Sequence, residues 1–523
     1  EPLPALRSVT RTVARDATTC IKFRDSFFGG LWMRQRSLVE IARSVQSKSI
    51  NPQQVLSESY HRFAETHDGL NALVQPHFQK AKDVCLKVDT QGPLAGVPAS
   101  IKECFEVQGL QTTLGITSRC GQIDSQDAPI VKRLKSCGVV PVGKSNIPQA
   151  MYLHETNNPV WGRTNHPENQ DRGPGGSSGG DAALVAAGVV SLGVGNDLAG
   201  SVRQPAHACG VSALLPTSRV LGNGGACNTM PNFNVVSSRA GLITSTIAEL
   251  KHVASSLEFG VKAEEQPFRA RRIAVWEHAG VIEPSSAIKR AVREAAQAVQ
   301  HEGHYVEYIQ DTVSEEAAWI MFGLLSADGG RDIRHLFGSE KPLRGVAKLL
   351  RIAGLPRWTR PGLAVLMRLL GNRIDAVALT ATGKRSRKGF EELLARREQV
   401  VSHMKKTAKK FDAIICPVSS LPALPHETAA RLVAAASPCL LANLVDLAAG
   451  TVPVTRVTED EQSCRHFSFD RVLRTAMKAD VDSAGLPVGV QVIGLNGEPP
   501  EQTVLDIMEA IESKANFSRW ARQ

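Results

Sequence analysis

Two runs of small residues joined to hydroxyls, Gly173-Pro-Gly-Gly-Ser-Ser-Gly-Gly180 and Gly195-Asn-Asp-Leu-Ala-Gly-Ser201, constrain this chain more than any other feature. A packed core has no use for them, because glycine loses the most backbone freedom on folding and buries no side chain. They are expected to belong to a reaction centre. The first run satisfies G-x-S-x-G twice, centred on Ser177 and on Ser178, but a nucleophile elbow needs a strand directly before it. What precedes it, His166 to Pro174, is a polar loop. Gly138-Val-Val-Pro-Val-Gly143-Lys144-Ser145 likewise fits the phosphate-loop pattern letter for letter. Its interior is strand-like where phosphate binding needs a flexible loop of amides. Nucleotide binding is set aside, and Gly138 reads as a helix C-cap.

Periodicity supplies the frame around these runs. Ser37 to Arg62 reads as two amphipathic helices, with Asn51-Pro52 capping the second. Ala128 to Ser136, Asp181 to Ala187 and Ser285 to Glu302 read as further helices. Strands are expected within Pro93 to Lys102, Val139 to Val142, Val189 to Val194 and Arg272 to Trp276. Such alternation indicates an α/β domain with a mostly covered sheet. From about Glu315 to Val400 the pattern is helix upon helix, and the sheet signal returns at Asp412 to Pro417.

A chain of 523 residues has room for one very large domain or for several ordinary ones. The longest apolar runs fall short of the roughly 20 residues that span a bilayer. The chain begins at Glu1 without an initiator Met, which leaves room for a removed leader or anchor. Ten cysteines without a C-x-x-C pair point to free thiols in a reducing compartment, and no metal site is expected. His207, set among small residues, reads as a hydrogen-bonded structural histidine. The net charge is +10, and the stretch Lys341 to Ile374 alone holds eight Lys or Arg and no Asp or Glu. Leu349, Leu350, Arg351, Leu355, Arg357, Trp358, Arg360 and Leu366 lie in that stretch. Basic residues beside apolar ones suit a helical hairpin on an anionic bilayer. They also suit core helices whose basic side chains snorkel to water, and the residues alone leave both readings open.

Taken together, Lys102, Ser177 and Ser201 resemble the Ser-Ser-Lys triad of the amidase signature family. The resemblance rests on Leu94-Ala-Gly-Val-Pro-Ala-Ser-Ile-Lys102-Glu103, Pro174 to Gly180, Gly193 to Ala206 and Gly485-Leu-Pro-Val-Gly-Val-Gln491. It extends to Gly143-Lys-Ser-Asn146, which explains the false phosphate loop. It implies a single large α/β/α domain around a central mixed, mostly covered sheet, with a helical cap insertion. The parts are then an N-terminal extension (1–36), core (37–314), helical insertion (315–400) and core again (401–523).

In the implied chemistry Ser201 is the nucleophile. Lys102 is the base, able to accept a proton only if burial holds it neutral. Ser177 relays the proton and later helps to protonate the leaving amine. The resemblance further implies a cis Gly176–Ser177 bond, an ordering role for Ser178, and oxyanion donors on Leu198, Ala199, Gly200 and Ser201. Asp197 and Arg203 would order that loop through charge-assisted bonds. No cofactor is implied. Departures from the family pattern are Asn196 for Thr, Ala213-Leu-Leu-Pro216 for G-L-K-P, and Ala199 for Gly. The last would cost about 1 kcal/mol if its φ were positive.

Within the family the chain is most similar to fatty-acid amide hydrolases. That similarity rests on Lys102-Glu-Cys-Phe105, Gly323 to Gly330, Asn443 to Thr455 and Thr458-Glu-Asp-Glu461. It favours the membrane reading of the cap, an acyl amide substrate that enters from an anionic bilayer, and no nucleic-acid partner. The expected location is intracellular, peripheral on a membrane or cytoplasmic, with a homodimer left open. The rival readings are the A subunit of a tRNA-dependent amidotransferase, which releases ammonia from Gln or Asn, and a catalytically silent membrane-binding member of the fold.

Overall fold

Short runs of β-branched and aliphatic residues, punctuated by glycine and proline, form the strands. In the computed structural model, which describes residues 36–264, 267–497, 499–515 and 517, they are β1 (Leu73–Pro76), β2 (Pro98–Lys102), β3 (Val140–Ser145), β4 (Asn157–Asn158) and β5 (Gly162–Arg163). There follow β6 (Leu192–Asp197), β7 (Ser212–Leu215), β8 (Arg239–Thr244), β9 (Arg272–Val275) and β10 (Tyr305–Tyr308). The last are β11 (Ala413–Pro417), β12 (Ala449–Arg456) and β13 (Pro487–Gly494). All but β4 and β5 join one mixed sheet in the order β1-β3-β2-β6-β8-β7-β12-β13-β11-β9-β10. The pairs β2–β3, β2–β6, β9–β11 and β9–β10 are parallel and the others antiparallel.

Period-two alternation sets the layering, since neighbouring side chains on a strand feed opposite faces. Ile273 and Val275 of β9 and Ala413 and Ile415 of β11 pack into one core, with helices Leu38–Gln46, Ile247–Ser256, Ser286–His301 and Pro500–Lys514. Ala274, Ile414 and Cys416 face a second core, built with helix Ser314–Leu325. At the other end of the sheet Val140, Val142 and Ile243 pack with helices Pro52–Leu70, Gly179–Ala186 and Arg203–Cys209. The result is the α/β architecture expected, with both faces of the sheet covered.

Element boundaries depart from expectation for local reasons. The second N-terminal helix runs on to Leu70, where left-handed Asn71 stops it. Residues 93–96 form turns with Gly96 at φ +75°, so β2 starts only at Pro98. Gly188 closes the preceding helix at φ +70°, so β6 starts at Leu192 and carries the Gly-Asn-Asp motif inside the sheet. β3 extends through Lys144 and Ser145, so the phosphate-loop lookalike is a buried strand. Lys144 Nζ donates there to Asp124 Oδ2 at 2.7 Å and Thr112 Oγ1 at 2.8 Å. His207 lies buried between Gly489 and the carbonyl of Leu421. The described cysteines are all free.

Between Tyr308 and Ala413 the described chain is helical, with segments Ser314–Leu325, Arg331–Phe337, Arg344–Ala353, Arg360–Leu369, Arg373–Ala381 and Arg387–Ala408. No helix among the described residues is long and apolar enough to cross a membrane. The expected extension at 1–36 lies outside the described residues, apart from Arg36.

Candidate active site

Parallel pairing of β2 with β6, in the register Ile101 opposite Val194, brings the carboxyl ends of both strands together. Lys102 closes β2, and its wholly buried amine reaches across to β6. Nζ donates to Asn196 Oδ1 at 2.7 Å and to the Asn196 carbonyl at 3.2 Å, and it lies 2.7 Å from Ser177 Oγ. Burial lowers the pKa of this amine from the ordinary lysine value, against the raising influence of Cys104, Asp181 and Asp197. Burial also pushes the neighbouring Asp181 up to about 6, although its carboxylate accepts a hydrogen bond from Ser100.

Ser177 follows a cis peptide bond from Gly176. Ser178 then leads into helix Gly179–Ala186 and donates its N–H to the Ser201 carbonyl at 3.0 Å. That contact fixes the two sequence runs against each other. It requires Gly195, where a β-carbon would lie 2.4 Å from Ser178 Oγ. Lys102 and Ser177 thus meet through their side chains, and Ser178 and Ser201 through their backbones. The Ser201 hydroxyl itself makes no hydrogen bond among the described residues.

The loop from Leu198 to Ser201 is held from below by Asp197. Its carboxylate accepts from the N–H of Gly200 at 2.7 Å, the N–H of Val202 at 3.1 Å and Asn443 Nδ2 at 2.9 Å. Arg203 adds a two-point contact through Nε and Nη2, both at 3.1 Å. Burial alone would raise the Asp197 pKa, but the charge and hydrogen bonds of Arg203 hold it well below the usual carboxylate range. The guanidinium also donates to the Cys439 carbonyl, Asn443 Oδ1 and Gln491 Oε1, so residues far apart in sequence brace this loop.

In the loop from Leu198 to Ser201 the condition attached to Ala199 is not met, and the reading of Gly200 as a donor needs correction. Gly200 carries the positive φ, +94°, and Ala199 does not, so replacing glycine at 199 adds no left-handed strain. The Gly200 N–H is turned into the Asp197 carboxylate, which removes it from the available donors. The N–H groups of Leu198, Ala199 and Ser201 meet no acceptor among the described residues. Two contributors went unread in the sequence. Asn196 was visible only as a departure from Thr, and its side chain proves to be a partner of the lysine. His154 Nε2 lies 3.2 Å from the Ala199 carbonyl, and burial lowers its pKa to about 4, which keeps the ring neutral near pH 7.

The basic insertion divides by burial. Arg351, Arg357, Trp358 and Leu366 are exposed, while Leu349 and Leu355 are half-buried. Leu350 and Arg360, expected on the outer face, are instead buried. Leu350 packs into the core, and the Arg360 guanidinium is enclosed by carbonyls, donating to Ile352 at 2.6 Å, Leu379 at 2.8 Å and Thr382 at 2.9 Å. Val365, Leu369, Leu370 and Arg368 are exposed in their place.

The sheet thus carries a buried lysine–serine pair, Lys102 and Ser177, with Ser201 fixed through its carbonyl to the next residue, Ser178. The family model described as Amidase matches residues 54–505, and the chain belongs to that family. Fatty-acid amide hydrolase 1 of Sus scrofa is 30% identical over 503 residues, covering 91% of this chain and 85% of the relative. The fatty acid amide hydrolase 1 of Caenorhabditis elegans is 26% identical over 514 residues, covering 92% and 88%. Among solved structures, a fatty acid amide hydrolase superposes with a TM-score of 0.77 at 20% identity, covering 93% of this chain and 86% of that one.

Proposed function

We propose that the protein cleaves long-chain fatty-acid amides through an acyl-enzyme on Ser201, with Ser177 and Lys102 completing a Ser-Ser-Lys triad, while docked on an anionic membrane. The contact between the buried Lys102 amine and Ser177 Oγ carries this reading. A neutral amine has two N–H bonds and one lone pair. Both oxygens of Asn196 can only accept, so they take the N–H bonds and leave the lone pair for the Ser177 O–H.

Ser177 then passes its proton to Lys102 and takes the proton of Ser201 as Ser201 Oγ attacks the amide carbon. The relay closes when the Ser201 hydroxyl turns onto Ser177 in the presence of substrate. Negative charge on the tetrahedral oxygen meets the N–H groups of Leu198, Ala199 and Ser201. Collapse breaks the C–N bond as Ser177 protonates the leaving nitrogen, and water deacylates Ser201 by the same relay.

The substrate class is supported by the fatty-acid amide hydrolases among the relatives. The exposed apolar and basic cap, with Trp358 at 83% and Leu369 at 80% exposure, supports a lipid surface as the source of substrate. A fluorophosphonate serine probe and a substrate panel test the reading. Ser201→Ala is expected to lose labelling and hydrolysis, with Ser177→Ala and Lys102→Ala slower by orders of magnitude. Long-chain acyl amides are expected to be cleaved far faster than acetamide or glutamine. Faster release of ammonia from glutamine would overturn the substrate class.

A further inference from the structure

We propose that Phe467 and Phe469 form a second membrane anchor, outside the cap insertion, which enters the same anionic lipid bilayer. The inference rests on the membrane reading of the cap. Phe467 is 65% and Phe469 74% exposed, and their rings meet edge to face with centroids 5.4 Å apart. Two aromatic side chains that pack chiefly on each other in water form an apolar patch that a soluble surface rarely tolerates.

Three contacts seat this loop on the end of the cap. The N–H of Ile374 donates to Asp470 Oδ2 at 2.9 Å, and the N–H of Arg471 donates to Asn372 Oδ1 at 3.1 Å. At Gly371, with φ +79°, a β-carbon would lie 2.9 Å from Phe469 Cβ, so the two backbones run in close approach. Gly371 directly follows Leu369 and Leu370, which are 80% and 60% exposed. The aromatic pair thus continues the apolar edge that the cap helix Arg360–Leu369 presents.

Charge selects the occupant. Exposed Arg368 and Arg373 flank the leucines, and exposed Arg471 flanks the phenylalanines. Asp470 is the sole acid between Arg465 and Lys478, and its carboxylate is spent on the N–H groups of Ile374 and Val472. Apolar tips flanked by arginines that form no ion pair among the described residues suit the headgroup boundary of an anionic bilayer. Of the eight basic residues from Lys341 to Ile374, Arg360 is buried, while Arg351, Arg357, Arg368 and Arg373 are exposed.

Vesicles of phosphatidylcholine with phosphatidylserine test the anchor by co-sedimentation. A Phe467→Ser/Phe469→Ser variant is expected to partition about tenfold or more weakly than the unmodified chain, and Phe467→Leu/Phe469→Leu close to it. Should the serine variant fold poorly, hydrogen exchange on the unmodified chain gives the same answer: residues 464–470 are expected to gain protection when vesicles are added. Unchanged partitioning or protection, while Arg351→Glu/Arg357→Glu/Arg368→Glu abolishes binding, would overturn the anchor and leave the cap reading standing. An unmodified chain that ignores these vesicles overturns both. Loss of self-association in the serine variant with unchanged vesicle binding assigns the patch to a second copy of the chain and overturns the anchor.

Discussion

Asn196 accepts two hydrogen bonds from the amine of the candidate base, Lys102. Its two oxygens accept from the Lys102 amine, which lies 2.7 Å from Ser177 Oγ, and in the proposed relay they leave the lone pair for Ser177. Asn196→Asp would place a carboxylate where Oδ1 sits, 2.7 Å from Nζ. An adjacent negative charge favours the ammonium and raises the lysine pKa. Hydrolysis by a neutral lysine is lost below that pKa, so the acid limb of the rate profile is expected to move to higher pH. Activity near pH 7 should fall about tenfold or more and recover in alkaline buffer, since each unit of pKa is tenfold in the active fraction. A limb left in place by this substitution would argue against Lys102 as the base. The residues of the proposed triad could be named from sequence because each stands in a contiguous motif. Asn196 and His154 were not, because their meaning lies in contacts that no local pattern encodes, such as the one from His154 to a carbonyl 45 positions away.

At the scale of elements, the insertion shows why composition alone misassigns a basic helix. Its eight cations look equivalent in sequence, yet Arg360 is 2% exposed and binds five carbonyl oxygens at the ends of helices Arg344–Ala353 and Arg373–Ala381. A cation there satisfies carbonyls left over at helix C-termini and complements their dipoles. Arg351, Arg357 and Arg368 project outward instead. Arg351→Glu/Arg357→Glu/Arg368→Glu is therefore expected to keep the melting temperature while anionic vesicle binding collapses, and high salt should imitate it in the unmodified chain. Arg360→Glu is expected to act the other way. It sets a carboxylate against carbonyls and should cost about 3 kcal/mol or more, read as a lowered melting temperature and early proteolysis within the insertion. Equal effects from the two variants would show that the division by burial is wrong. The strands follow the same logic. β2, β3, β6, β9 and β11 announce themselves as short aliphatic runs. β7 and β8 do not, and β12 and β13 carry proline and glycine that weaken a local reading.

Across the whole molecule, the sheet places strands from the first half of the chain beside strands from the last hundred residues, and β12 pairs with both β7 and β13. The Asp197–Arg203 pair binds that junction. Both side chains are fully buried, and the guanidinium reaches Cys439, Asn443 and Gln491 beyond its bonds to Asp197. The motifs suggested an ordering role for the pair, but not that the order spans the molecule, because strand order over such separations is a tertiary property. Asp197→Asn keeps the shape and removes the charge, leaving Arg203 buried without a counter-ion. The expected cost is about 3–5 kcal/mol at neutral pH, measured as a lower denaturation midpoint, together with loss of hydrolysis as the oxyanion loop relaxes. The sign with pH follows from the depressed Asp197 pKa. An acid whose folded value lies below its ordinary 3.8 contributes fully above that pH and loses the contribution as pH falls further. The unmodified chain should therefore lose stability on acidification below about pH 4 by more than Asp197→Asn does, so the two denaturation curves approach each other in acid. Curves that stay parallel from neutral pH into acid would mean that the carboxylate charge is not what holds the two halves of the sheet together.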